Sequence, residues 1–191
     1  MPLFSFRGNR AEKPDPLIHS SLLPRAFDGF GAEDCLHVLD VGTGVSDTVQ
    51  FLARYRSKIY FLDLAEALAG DAEPDAFTAA LDDYAGVLFD VCLFWDLLHR
   101  LDAHQLRTLS EALVPFTYSA TRVHSLCRFS ATDNAVDYRI RGADQLEAVR
   151  SKPRSYQSWS YTDFGENFPG FSIAADLHAP DGRVEMLLVT T

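Results

Sequence analysis

Leu36-His-Val-Leu-Asp-Val-Gly-Thr-Gly44 is the stretch that decides how the rest of the chain is read. It is an apolar strand running straight into a glycine turn, with Asp40 just ahead of Gly42. A helix pattern follows from Ser46 to Tyr55, with Val49, Phe51 and Leu52 as its apolar positions. A second strand, Lys58-Ile-Tyr-Phe-Leu62, then ends at another acid, Asp63. Strand, glycine turn, helix, strand and acid make up a nucleotide-binding βαβ unit. The glycines let backbone approach a ligand, the helix N-terminus offers unpaired N–H groups, and an acid about 20 residues on can accept from ribose hydroxyls.

Dinucleotide folds want G-x-G-x-x-G. Here Gly42 and Gly44 are followed by Val45, Ser46 and Asp47, so the third glycine is missing. An acid at the turn end of a helix would also repel a pyrophosphate. Asp40 and Asp47 therefore suit a ligand with a cationic end. The LDVGTG segment resembles motif I of the class I S-adenosylmethionine-dependent methyltransferases. That resemblance implies S-adenosylmethionine as cofactor. It places Gly42 and Gly44 against the methionine part, Asp40 at the turn or the ammonium group, and Asp63 on the ribose, with Glu66 behind it. Two departures stand out. Ser46 occupies a position where the family mostly carries glycine, although serine can cap the helix. No clear third strand appears either, so the acid for the adenine amino group falls only in the general region of Asp82 and Asp83.

Further along, Leu64 to Gly70 reads as a short helix, and Phe77, Leu81 and Tyr84 suggest another within residues 71–86. Phe89-Asp-Val-Cys-Leu-Phe-Trp-Asp96 is apolar nearly throughout, as buried parallel strands are. Ala103 to Pro115 reads as a helix behind Asp102 as N-cap. Thr121 to Phe129 alternates like a strand. Residues 141–150, with Leu146 and Val149, suggest a helix. Phe171 to Leu177 and Arg183 to Val189 are strands joined across Asp181-Gly182, a hairpin signal. Repeated β-α units imply right-handed crossovers and a parallel sheet. The expected architecture is α/β: a three-layer Rossmann-like methyltransferase fold, its sheet of about seven strands mainly parallel and closed by a C-terminal antiparallel β-hairpin. Residues 1–33 read as an N-terminal arm or lid, in which Leu17, Ile18, Leu22 and Leu23 could form a short helix. Residues 34–191 read as the methyltransferase-like domain.

Ligands in open α/β sheets lie at the carboxyl ends of the strands. Trp95 then stands beside the cofactor, and Asp96 or His99 is the candidate catalytic base where an acceptor must lose a proton. The Asn/Asp-Pro-Pro-Tyr/Phe tetrapeptide of some N-methyltransferases is absent at this point. Arg139, Arg141, Arg150, Lys152 and Arg154 form a basic cluster, followed by Tyr156, Trp159, Tyr161 and Phe164. It reads most simply as a solvated helix with aromatics in the core, or else as a lid for an anionic or aromatic acceptor.

The 191 residues favour one main domain with a sizeable core. A net charge of −10 disfavours nucleic acid as a partner. No apolar run reaches membrane-spanning length, and no signal peptide is visible, so a cytoplasmic location is expected. Cys35, Cys92 and Cys127 read as buried free thiols, and the scattered histidines offer no metal-binding spacing. The function expected is methyl transfer to a small-molecule acceptor, with a homodimer as the one partner assembly considered. The alternative is an inactive methyltransferase fold kept as a binding or regulatory module. A nicotinamide oxidoreductase is disfavoured by the broken glycine fingerprint.

Overall fold

The computed structural model describes residues 17–31, 33–42, 46–62, 64, 76–128, 136–150, 157, 159–180 and 182–191. In chain order the strands are β1 (Leu17–His19), β2 (His37–Asp40), β3 (Lys58–Phe61), β4 (Val91–Trp95), β5 (Arg122–Arg128), β6 (Val136–Gly142), β7 (Gln145–Arg150), β8 (Phe171–His178) and β9 (Arg183–Thr190). The helices are α1 (Leu23–Ala26), α2 (Ser46–Leu52), α3 (Ala76–Asp82), α4 (Ala103–Leu113) and α5 (Tyr161–Asn167).

Six strands form the main sheet in the order β3-β2-β4-β5-β9-β8. Strands β3, β2, β4 and β5 pair in parallel. Strand β9 runs antiparallel to both β5 and β8, so it alone is reversed. The architecture is the expected mixed α/β sheet with its closing hairpin, and Gly182 in that hairpin has φ 79°, a conformation glycine adopts without strain.

Alternation along the strands divides the core between two faces. Leu39, Val41, Cys92 and Phe94 point to one face, under α3, α4 and α5 with Phe77, Leu81, Leu106, Leu109, Phe164 and Phe168. Val38, Leu93 and Trp95 point to the other, under α1 and α2 with Leu23, Ala26, Phe27, Phe51 and Leu52. Helix α4 begins in a capping box. The Gln105 N–H donates to Asp102 Oδ1 at 2.8 Å, and the Asp102 N–H donates to Gln105 Oε1 at 3.0 Å. Asp102→Ala is expected to cost about 1 kcal/mol in urea unfolding, and an unchanged midpoint would show that the box contributes nothing.

Three sequence expectations are corrected. Residues 141–150 are not helical. They complete β6, turn at Ala143–Asp144, and return as β7. The three-residue spacing of Leu146 and Val149 suggested a helix, but burial follows strand alternation, with Tyr138, Ile140 and Leu146 all in the core. Residues Leu17 to His19 are also extended. They pair antiparallel with β7, giving a separate three-stranded sheet in the order β1-β7-β6. The short helix starts only at Leu23, where Pro24 in its first turn supplies a helix-ready φ. Third, Cys35 is exposed, whereas Cys92 is buried as expected. The side chain of Cys127 and the short helix read over Leu64 to Gly70 fall outside the described residues. Helix α5 was not anticipated, although Ser160 caps it by accepting from the Asp163 N–H at 3.1 Å.

Buried Glu185 of β9 anchors the segment that precedes α1. It accepts the hydroxyl of Ser20 and the backbone N–H groups of Ser21, Leu22 and Leu23, the last three at 3.0–3.1 Å. His124 Nε2 of β5 lies 2.8 Å from the same carboxylate. Burial alone would raise the Glu185 pKa. The bond and charge of His124, with the Ser20 hydroxyl and Ser21 N–H, outweigh that and hold it near 2. Among the described residues, no helix is long and apolar enough to cross a membrane.

Candidate functional site

The chain leaves β2 toward β3 on one side, while β4 lies on the other. At such a switch point the crevice outside the strands' carboxyl ends is where open α/β sheets place ligands. Asp40 ends β2 and Trp95 ends β4, both on the face that packs under α2. The structure therefore brings Asp40, Gly42 and Trp95 together. Gly44 and Asp63, and the reserve acid Glu66, lie outside the described residues.

The Trp95 indole Nε1–H donates to Asp40 Oδ1 at 2.6 Å. Asp40 is only 2% exposed. Burial pushes its carboxyl up to about 6, and the indole bond offsets only part of that rise. A β-carbon added to Gly42 would stand 3.1 Å from both Asp40 Oδ1 and Trp95 Nε1, and 3.2 Å from Trp95 Cδ1. Any larger residue there would have to push the indole or the Asp40 carboxylate back by a few tenths of an ångström. Trp95 itself has φ 46°, in the left-handed region that large side chains avoid, at a cost of order 1 kcal/mol. The β4–β5 register shifts between Leu93 and Trp95, and the Ser125 hydroxyl donates to the Trp95 carbonyl at 2.7 Å. Both features hold the unusual backbone and aim the indole across the crevice.

The small sheet covers this indole. Tyr138 of β6 stacks on Trp95, with ring centroids 6.2 Å apart and planes 21° from parallel. His124 meets the indole edge-on, with ring centroids 6.4 Å apart. Arg141 of β6 clamps the hairpin to α2. It pairs with Asp47 in the first turn at 2.8 Å and with Glu147 of β7 at 2.6 Å. Asp47 looked in the sequence like a partner for a cationic ligand, but here its cation is Arg141. Of the basic cluster, Arg139 and Arg141 sit on β6 rather than on a helix, and Lys152 and Arg154 fall outside the described residues.

The two candidate bases lie just past β4. Asp96 is buried, 3.9 Å from Arg100. His99 is also buried, its Nδ1 3.3 Å from the Gln157 carbonyl. Burial lowers the His99 pKa, and the Gln157 bond opposes this. His99 lines a small cavity with Trp159, Tyr161, Phe164 and Met186. Phe164 and Met186 belong to the core on the face opposite Trp95, so His99 is not gathered with Asp40 and Trp95. Two neighbours of the indole were missed in the sequence. Tyr138 was hidden by the helix reading of its hairpin, and His124 looked like one more residue of an alternating strand. Among the described residues, no group of three His, Cys, Asp or Glu side chains could hold a metal ion.

No protein-family model matches the sequence, and no curated protein matches it. Solved structures do resemble it. An S-adenosylmethionine-dependent methyltransferase from Clostridium acetobutylicum ATCC 824 superposes with a TM-score of 0.50 at 11% identity, over 81% of this chain and 83% of that one. The 1,6-didemethyltoxoflavin-N1-methyltransferase of Burkholderia thailandensis, with 1,6-didemethyltoxoflavin and S-adenosylhomocysteine bound, gives 0.50 at 16% over 90% and 79%. The glycopeptide N-methyltransferase MtfA, complexed with S-adenosylmethionine, gives 0.50 at 13% over 96% and 99%. These likenesses show the fold: a Rossmann-like α/β sheet of the kind these methyltransferases have. At these identities it is a divergent form of that fold.

Proposed function

We propose that the chain binds S-adenosylmethionine at the carboxyl ends of β2 and β4 and transfers its methyl group to a small-molecule acceptor. The observation that carries this reading is the buried Asp40 beside Gly42 at the switch point of the sheet. A buried carboxylate at a strand end suits an ammonium group, and a glycine there lets ligand atoms reach the backbone. The cofactor's amino-acid end fits these residues once the Trp95 indole has moved aside. Gly44 and Asp63 complete the site by their sequence positions. Bound there, the cofactor would supply an activated methyl group on a sulfonium. The chain's part is to align it with the acceptor and exclude water. Asp96, one residue past Trp95, is the nearby group able to take a proton from an acceptor that carries one. A net charge of −10 favours a small acceptor over a nucleic acid. Free thiols at Cys35 and Cys92 suit a reducing compartment such as the cytoplasm.

Thermal melts test the proposal. S-adenosylmethionine and S-adenosylhomocysteine are each expected to stabilise the protein by about 2.7 kcal/mol at a hundredfold excess over Kd, whereas NAD leaves it unchanged. Melts unmoved by both adenosyl compounds, in the wild type and in a Trp95→Gly variant alike, would overturn the assignment.

A further inference from the structure

We propose that Trp95 and Tyr138 form a shutter over this crevice: the indole closes it in the state described here, and an adenosyl ligand enters only when the indole swings off Gly42 and releases Asp40. The inference rests on the function proposed above and adds a conformational step to it.

Three observations carry it. The indole occupies the ligand's place. Its Nε1 and Cδ1 stand 3.1 and 3.2 Å from where the first atom beyond the Gly42 backbone would go, too close for a ligand to pass between. The indole also uses the ligand's partner, because Asp40 Oδ1 accepts its N–H at 2.6 Å, and an ammonium would need the same carboxylate. Lastly, the closed state carries strain. Trp95 sits at a left-handed φ of 46°, in a bulge, where a backbone change relieves strain. Tyr138 comes from the β6–β7 hairpin, outside the six-stranded sheet. That hairpin packs on α2 through buried Ile140 and Leu146 beside Phe51 and Leu52, with Arg141 to Asp47 and the Ile140 N–H to Thr48 Oγ1 at 3.4 Å, so the motion proposed is that of the indole and the Tyr138 ring over it.

A shutter has a measurable consequence. When only a fraction of the molecules is open, apparent affinity falls by that fraction, and a variant fixed open regains it. S-adenosylhomocysteine binding should be measured by calorimetry for the wild type, Trp95→Gly and Tyr138→Ala. Glycine removes the indole and suits the φ at position 95. Both variants are expected to bind at least tenfold more tightly than wild type. Binding detected only in the variants supports the same conclusion, as a shutter that is almost always closed. Trp95→Phe, which keeps a ring but loses the N–H, serves if the glycine variant fails to fold, and should fall between the two. The chain has two tryptophans, so Trp159→Phe leaves Trp95 as the sole reporter. Its emission should move to longer wavelength and become quenchable by acrylamide as ligand is added. Equal or weaker binding by the variants, or emission that stays fixed while wild type binds, would overturn the shutter and leave the proposed function standing. Failure of every form to bind would overturn both.

Discussion

Glu185→Ala is expected to lower the unfolding free energy at pH 7 by roughly 3–5 kcal/mol, because a buried carboxylate that satisfies several donors at once is lost. Glu185 gathers the Ser20 hydroxyl, three consecutive backbone N–H groups and His124 around one buried carboxylate. Alanine would leave those donors in the interior without that acceptor. The effect has a pH signature. The folded-state pKa, about 2, lies below the ordinary 4.5. Ionised Glu185 therefore stabilises the fold fully above about pH 4.5, and its contribution is lost as pH falls from there toward 2. Urea unfolding at pH 7 and pH 3 should show a large gap between wild type and variant at pH 7 and a smaller one at pH 3. A gap that does not shrink would mean that the lost stability is packing rather than charge.

Asp40→Asn should act in the opposite direction. Its carboxyl is raised from 3.8 to about 6 by burial. A raised acid favours the folded state below its unfolded pKa, and that contribution disappears as pH rises through about 6. At pH 8 the buried carboxylate is charged at a cost of about 2–3 kcal/mol, from a shift of about two units. Asparagine carries no charge, and its amide oxygen can still accept the Trp95 indole N–H. The variant should match wild type near pH 4 and exceed it by that margin at pH 8 in chemical denaturation. Its affinity for S-adenosylhomocysteine should fall at least tenfold, because the ammonium loses its counter-charge. Equal stability at pH 8 would show that Asp40 is solvated. A gain in stability with affinity unchanged would remove Asp40 from the ligand's surroundings. In the expected case, stability and binding are opposed at one residue, as buried functional acids often are.

Much of the fold was legible because its signals are local. The strand read from Leu36, the apolar run of β4, the Asp102 cap and the closing hairpin each identify themselves within about ten residues. The β6–β7 hairpin did not. Its apolar residues satisfy both a three-residue and a two-residue spacing, and the choice was made by the core beneath it, where Tyr138 meets Trp95. Strand β1 was hidden for a similar reason. Three residues have no periodicity to read, and their pairing partner lies more than a hundred positions away. At the site, Asp40, Gly42 and Trp95 were legible as neighbours of one crevice, but the indole's position across it was not. That position depends on a left-handed residue at the end of a strand, which no local pattern announces. A single acid within Val184-Glu-Met-Leu-Leu188 was a usable signal for the Glu185 anchor, since a charge in an apolar strand requires partners.

The anchoring of residues 17–23 bears on how the protein is made. Ser20 donates its backbone N–H to the Asp144 carbonyl, and its hydroxyl bonds Glu185, 165 positions later. At synthesis speeds of about 5–20 residues per second, the early segment waits roughly ten to thirty seconds for its last partner to emerge from the ribosome. Throughout that interval Ile18, Leu22 and Leu23 have no finished core to enter. Nascent chains stalled before residue 185 should therefore hold this segment open to chaperones and proteases, and release past that point should close it.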